Sequence, residues 1–287
     1  MCVNRWILLL ASLLLSSISH AATPIDTRPY SEKTLIAPEY FGPNAFPVPD
    51  MLDGRADSTL TVELAGDGHF GFAGDKTANL FARVKIPLWT DRVNLTVWMP
   101  IYEWYATTAV WRMQNRVTDN TAQGSGAGDV YVSTDIWILK AQSWWPDIAF
   151  RAAFKTASGG QYARARHYDN AGYWFDLSVG KSWIWDNLEF RTSGTAGFLC
   201  WQTDVGRQND AVYYGLQAKF RYDYISATAT WSGYVGWEND GDRPMVISGR
   251  ISGYVKGFEP FIQYQYGIKN YPYQSVRVGL VYRWNFI

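Results

Sequence analysis

Acid–base chemistry in this chain would have to come from very few residues. Of three histidines, His20 lies in an N-terminal leader, which leaves His69 and His167. A serine hydrolase needs a histidine placed to take the proton of an attacking hydroxyl, and membrane-embedded lipid hydrolases carry that pair as His-x-Ser. His69 is followed by Phe70-Gly71 and His167 by Tyr168-Asp169, so neither has that spacing. Neither is surrounded by the converging ligands that a metal site requires. Cys2 also falls in the leader, so Cys200 stands alone and no disulfide is expected. The run Gln123 to Asp129 is glycine-rich but precedes no helix pattern, and reads as a loop leading into a strand. The expectation is a protein without catalytic residues, metal or cofactor.

The other chemistry-bearing residues are charges at alternate positions of apolar stretches. Arg83 and Lys85 alternate with Ala82, Val84 and Ile86, and Arg151 and Lys155 with Phe150, Ala152 and Phe154. Asp176 lies between Phe175 and Leu177, and Lys219 and Arg221 flank Phe220. Arg277 and Arg283 share the polar face of the last stretch, and Arg191 and Arg250 fall in similar ones, with Glu63, Asp129, Asp135, Glu189 and Glu259 as acidic counterparts. Burying a charge costs several kcal/mol unless it is hydrated or paired. Such a face must therefore line water or a salt-bridge network. Two readings follow: a wet permeation path with basic excess and mild anion preference, or a structural network that plugs a narrow barrel.

Period-two alternation requires strands. Twelve are expected, near 58–66, 77–88, 93–104, 128–140, 147–156, 172–183, 187–201, 211–222, 224–236, 245–256, 258–269 and 274–287. Ten is the alternative if 58–76 holds a different first hairpin. The links alternate long (67–76, 105–127, 157–171, 202–210, 237–244, 270–273) and short. Even strand number and segregated loop length are the pattern of a transmembrane antiparallel up-and-down β-barrel.

The flanking segments agree. Arg5, the apolar run Ile7 to Leu15 and Ser19-His20-Ala21 read as a signal peptide over 1–21. Residues 22–57 hold Pro24, Pro29, Pro38, Pro43, Pro47 and Pro49 and read as an extended segment, periplasmic or tucked into the lumen. Residues 58–287 form the barrel. After the leader no apolar run reaches 18 residues, so only a closed barrel could span a bilayer.

Aromatic content is 17%, with 15 Trp and 19 Tyr. Aromatic residues cluster at strand ends: Trp89, Trp144, Trp145, Trp183, Trp185, Tyr224, Phe258, Trp284 and Phe286 at the short turns, and Trp104, Tyr105, Tyr173, Trp201, Trp237, Tyr271 and Tyr273 at the long loops. Two girdles fit two membrane interfaces. Lys+Arg and Asp+Glu are equal at 26, which argues against a nucleic-acid partner. Tyr282, Trp284 and Phe286 near the C-terminus resemble the signal that hands outer-membrane proteins to the barrel assembly machinery, although Ile287 follows. Location in the outer membrane of a Gram-negative-type bacterium, among its lipids, is expected.

One stretch resembles a family. Gly124-Ser-Gly-Ala-Gly-Asp-Val-Tyr131, then Pro146-Asp-Ile-Ala-Phe-Arg-Ala-Ala-Phe-Lys155 and Thr156-Ala-Ser-Gly159, is similar to the outer-membrane transporters described as "protein involved in the meta-pathway of phenol degradation". Those have Leu-Pro-Thr-Gly where this chain has Lys-Thr-Ala-Ser-Gly. The resemblance implies a barrel that takes up small, hydrophobic molecules. The functional expectation is passive passage of small solutes, hydrophobic or anionic. The alternative is a structural or surface-interaction barrel working through loop 105–127 with Trp111, Arg112 and Arg116.

Overall fold

The computed structural model describes residues 36–115, 117, 121–159, 166, 170–204 and 207–284. The leader with its cleavage site, Arg116, His167 and Phe286 lie outside them. The strands are β1 (Leu60–Gly71), β2 (Lys76–Pro87), β3 (Val93–Ala106), β4 (Gln123–Gly126), β5 (Tyr131–Leu139), β6 (Asp147–Lys155), β7 (Gly172–Trp185), β8 (Leu188–Asp204), β9 (Arg207–Tyr222), β10 (Ile225–Gly236), β11 (Met245–Gly253), β12 (Phe258–Lys269) and β13 (Tyr273–Trp284). Among the described residues helix is confined to single turns and α1 (Ala109–Gln114).

Each strand pairs antiparallel with its sequence neighbour, except that β3 passes to β5. The first and last strands close the ring, from Leu60 opposite Trp284 to Gly71 opposite Tyr273. The result is a closed barrel of twelve strands, with β4 a thirteenth that pairs only with Glu103–Ala106 of β3. The glycine-rich run expected as a loop is therefore partly a strand. Closure leaves no edge, as a lipid environment demands.

The alternation is realised face by face. On β7, Tyr173, Phe175, Leu177 and Val179 are exposed, while Trp174, Asp176 and Ser178 are buried. On β9, Val212, Leu216 and Phe220 are 54%, 59% and 51% exposed although they belong to a folded wall. A continuous exposed apolar surface of this kind is a membrane-spanning belt. The tight turns suit their residues: Asp186 (φ 48°) and Asp223 (φ 47°) take the left-handed conformation that aspartate tolerates.

Two links expected to be long are short. β1 and β2 are joined over 72–75, and β8 reaches Asp204 while β9 starts at Arg207, because these strands extend beyond their apolar stretches; the link after β12 keeps its expected place at 270–272. The loop-side girdle is also thinner than expected. Trp104, Tyr173 and Trp237 face outward, but Tyr105, Trp201, Tyr271 and Tyr273 are buried inside the barrel. Tyr105, Trp201 and Tyr273 have the polar-face parity of their strands and Tyr271 lies in the link 270–272; Trp201 packs on Phe46 of the strap, and Tyr271 and Tyr273 donate to strap carbonyls. The turn-side girdle is as expected, with Trp89, Trp144, Trp185 and Tyr224 strongly exposed.

The lumen is crossed by residues 36–57, which act as an internal strap. Ala37, Tyr40, Phe41, Ala45 and Phe46 form one buried cluster with Tyr131, Trp174, Trp201, Tyr213 and Tyr234 of the wall. This strap begins at the loop end, where Glu39 N–H donates to the Gly241 carbonyl (3.2 Å). It reaches the turn end at Asp57, 2.7 Å from Lys85. Of the two placements expected for the proline-rich segment, its described part takes the lumen. Prolines suit this course, because a chain crossing a lumen alone has no ladder partner for its N–H groups.

Candidate functional site: the strapped lumen

An extended strap still has carbonyls that need donors. The wall supplies them with tyrosine hydroxyls and guanidinium groups. Tyr273 donates to the Phe41 carbonyl (3.0 Å), Tyr271 to Pro43 (3.3 Å), Tyr234 to Phe46 (3.2 Å) and Tyr213 to Pro49 (3.0 Å). Toward the turn end arginines take over: Arg151 donates to the Asp50 carbonyl (2.7 Å) and Arg191 to that of Asp53 (2.5 Å). The wall comes so close that a Cβ on Gly180 would sit 2.1 Å from the Asp53 oxygen.

The strap also carries charge. Arg83 meets Asp50 at 2.5 Å, with Glu63 at 3.5 Å. Arg191 lies between Asp147 (2.8 Å) and Asp53 (3.3 Å). Asp57 bridges Lys85 (2.7 Å) and Arg283 (3.4 Å). Burial raises the Asp57 carboxyl, but Lys85 and Arg283 more than offset that and hold it at about 2. Arg55 runs the other way, to Asp147 (2.9 Å).

The remaining sequence-derived residues pair within the wall. Arg151 binds Asp176 (2.7 Å), which also accepts from Thr195 and Ser178. Arg277 binds Asp67 (2.5 Å), Arg250 binds Glu259 (3.3 Å), and Arg283 shares Glu259 (2.9 Å). Lys155 is fully buried against Asp129 and Asn170 near the loop end. Lys219 is half-buried opposite Arg191, and Arg221 is exposed at the turn-side rim over the Tyr254 ring (4.9 Å). The eleven residues thus do not form one column. Arg83, Arg151, Arg250 and Arg277 surround the middle of the strap, Lys85, Arg191 and Arg283 its turn end, and Lys155 its loop end.

The strap does not fill the bore. Its segment Val48–Met51 separates two cavities of about 170 Å³ each. One is lined by Trp98, Tyr131, Trp174, Trp201 and Tyr271 together with charged Arg83, Lys85, Arg151, Arg277, Asp67 and Asp135. The other is lined by Arg83, Arg250, Arg277 and hydroxyl and amide side chains of β9–β12. Each has room for several waters or a small solute.

Loop elements cap the strap. Arg166 binds Asp75 through both carboxylate oxygens (2.8 and 2.7 Å), donates to Thr77, and lies over the Trp111 and Tyr105 rings. Trp111, expected as a surface contact, is 1% exposed. Its indole is part of this cap, because α1 folds back over the barrel mouth.

His69 is not in a loop. It lies on β1, faces inward and is buried. The ladder sets it opposite Ser275, and its Nδ1 is 2.7 Å from the Ser275 hydroxyl. Asn79 donates to Asp67 (2.6 Å), so its carbonyl oxygen faces His69 Nε2 (2.9 Å). That fixes the proton on Nε2 and makes Nδ1 the acceptor of the Ser275 hydroxyl. The backbone donors on both sides are committed to the ladder, so the wall offers no backbone oxyanion hole. The group couples β1, β2 and β13 where the barrel closes. Among the described residues no cluster of potential metal ligands occurs.

Sequence reasoning missed the strap's aspartates and the tyrosine donors. The signal was there: Tyr213 has the parity of Gln217 and Lys219, and Tyr273 that of Arg277. Interior tyrosines on a charged face imply a polar partner in the lumen.

A closed twelve-stranded barrel with an apolar outer belt and a charged bore defines an outer-membrane β-barrel. The chain is similar in structure to the COG4313 outer membrane channel from Pseudomonas putida F1, with TM-score 0.54 and 11% identity over 82% of this chain and 100% of that one. It is likewise similar to the NanC porin, with TM-score 0.51 and 11% identity over 78% of this chain and 100% of that one. At such identity the likeness is one of fold. No protein-family model matches the sequence, and no curated protein sequence matches it.

Proposed function

We propose that the chain is a channel for passive passage of small solutes across the outer membrane, with residues 36–57 as its internal constriction. One observation carries this reading: the strap is held by hydrogen bonds and ion pairs and leaves cavities on both sides. A barrel whose only task is to stand in the membrane has no need of a solvated bore. The sequence-derived lumen residues then act in two ways. Arg83, Arg151, Arg250 and Arg277 line the route, while Lys85, Arg191 and Arg283 anchor the strap.

The aromatic rings of the first cavity support a hydrophobic solute, and the arginines of both cavities an anionic one. The resemblance of residues 124–159 to the phenol-pathway transporters supports the former. Cleavage after Ala21 and delivery to the assembly machinery through Tyr282, Trp284 and Phe286 complete the proposal. Trp284 is exposed on the outer face, and the Tyr282 ring lies tilted against Phe258 (4.8 Å between centroids).

Planar-bilayer recording and liposome swelling with the refolded full chain test it. Discrete conductance steps or solute entry are expected. Silence in both, with a barrel that still shifts on gels after boiling, contradicts the channel reading.

A further inference from the structure

We propose that the polar cavity between the strap and β9–β12 is a binding site for a small carboxylate that also bears hydroxyl groups, and that Asp50 occupies its anion position in the closed state. The inference rests on the channel reading above and specifies its solute.

The first observation is charge. Three arginines line this cavity, Arg83, Arg250 and Arg277, and the strap's Asp50 is the one carboxylate among its lining residues. The side chain of Asp50 remains 57% exposed while it contacts Arg83 at 2.5 Å. It is thus a carboxylate in reach of water, on a guanidinium, in the middle of a membrane protein. A solute carboxylate can take the same position by exchange.

The second is geometry. The Arg250 guanidinium lies 3.6 Å from the Phe261 ring centre, and that of Arg277 lies 4.0 Å from Phe81. Stacking fixes the plane of each guanidinium; Arg277 already spends Nε and Nη2 on Asp67 (2.5 and 2.9 Å), so the edge left for a planar anion is that of Arg250. Arg250 uses Nε on Ser252 and Nη2 on Glu259 (3.2 and 3.3 Å), two of its five donors.

The third is the rest of the wall. Gln217 donates to Thr230 (3.1 Å), and Thr228, Ser248 and Gln263 complete a surface of hydroxyl and amide groups. Such groups both donate and accept, so they match hydroxyls on a solute better than an apolar ring. A bare anion would leave them without partners.

In this scheme the strap is an intramolecular competitor. A tethered carboxylate acts at an effective concentration in the millimolar range. Neutralising it should raise solute affinity without touching the wall.

The test is calorimetric titration of the full chain in detergent micelles, which reads binding whether or not the barrel conducts. The probes are gluconate, acetate, chloride and glycerol. Asp50→Asn should bind gluconate about tenfold more tightly than the native chain, a difference typical of one charge-assisted contact. Acetate and chloride should bind more weakly than gluconate, and glycerol should not bind measurably. Arg250→Gln added to Asp50→Asn should remove the gain, with folding of each variant checked by its gel shift. Equal gluconate affinity in the native chain and Asp50→Asn overturns the proposal. So does persistence of the gain without Arg250, or chloride binding as tight as gluconate. Loss of conductance in bilayers with the binding pattern intact would instead refute only the channel reading.

Discussion

The Tyr213 hydroxyl donates to the Pro49 carbonyl at 3.0 Å, across 164 residues of sequence. It is the turn-side end of a ladder in which tyrosines of the barrel satisfy strap carbonyls from Phe41 to Pro49. Tyr213→Phe removes one donor and leaves a buried carbonyl unpaired, at a cost of about 1–3 kcal/mol. The cost falls on strap docking, because the β9 ladder to β8 and β10 is untouched. Hydrogen exchange should speed up at Met51, Leu52 and neighbouring strap amides while the wall stays protected. Uniform loss of protection through strap and wall would show that the two are one cooperative unit.

The ion pairs at the turn end give the strap a pH limit. Asp57 titrates near 2, below its ordinary value of 3.8. A carboxyl lowered by folding stabilises the folded state above its unfolded pKa, and that stability is lost as pH falls toward the folded one. The strap should therefore stay latched from pH 7 to about pH 4 and loosen between about pH 4 and 2. Bilayer current should be flat across the first window and rise in the second. In Asp57→Asn the current at pH 7 should already be raised, and its acid step reduced.

The cap over the mouth depends on Arg166 and Asp75, both essentially unexposed. Removing one partner of a buried pair leaves an uncompensated charge and costs about 3–5 kcal/mol, whereas replacing both with apolar groups is often close to neutral. Arg166→Met should lower the denaturant midpoint of the barrel. Adding Asp75→Leu should restore most of it. A double variant no more stable than the single one would show that Arg166 acts through Thr77 and the Trp111 and Tyr105 rings instead.

Much of this was legible in sequence because a barrel wall obeys a local rule. Tyr173, Phe175, Leu177 and Val179 alternate with Trp174, Asp176 and Ser178, and lipid on one side and a polar bore on the other enforce that period directly. Strand ends were less legible. β9 begins at Arg207, well before its apolar stretch, because hydrogen bonding continues past the bilayer where side-chain pattern no longer matters. The strap was not legible as a plug. Asp50, Asp53 and Asp57 look like solvated loop charges until the arginines of distant strands are brought around them. Tyr271 and Tyr273 read as interface anchors for the same reason, since their true partners, the carbonyls of Pro43 and Phe41, lie more than 200 residues away. His69 and Ser275, 206 residues apart, meet only through the closing ladder.

The central claim is that residues 36–57 are the closed element of a conducting bore. Single-channel recording of the full chain beside an Asp50→Asn/Asp53→Asn/Asp57→Asn variant tests it most directly. The variant keeps the wall and removes the strap's charges from Arg83, Arg191, Lys85 and Arg283. Its open probability should rise at least about tenfold, as loss of roughly 1.4 kcal/mol of latching implies, and its reversal potential in a salt gradient should shift toward anion selectivity. Identical conductance and identical selectivity in the two proteins would contradict the account.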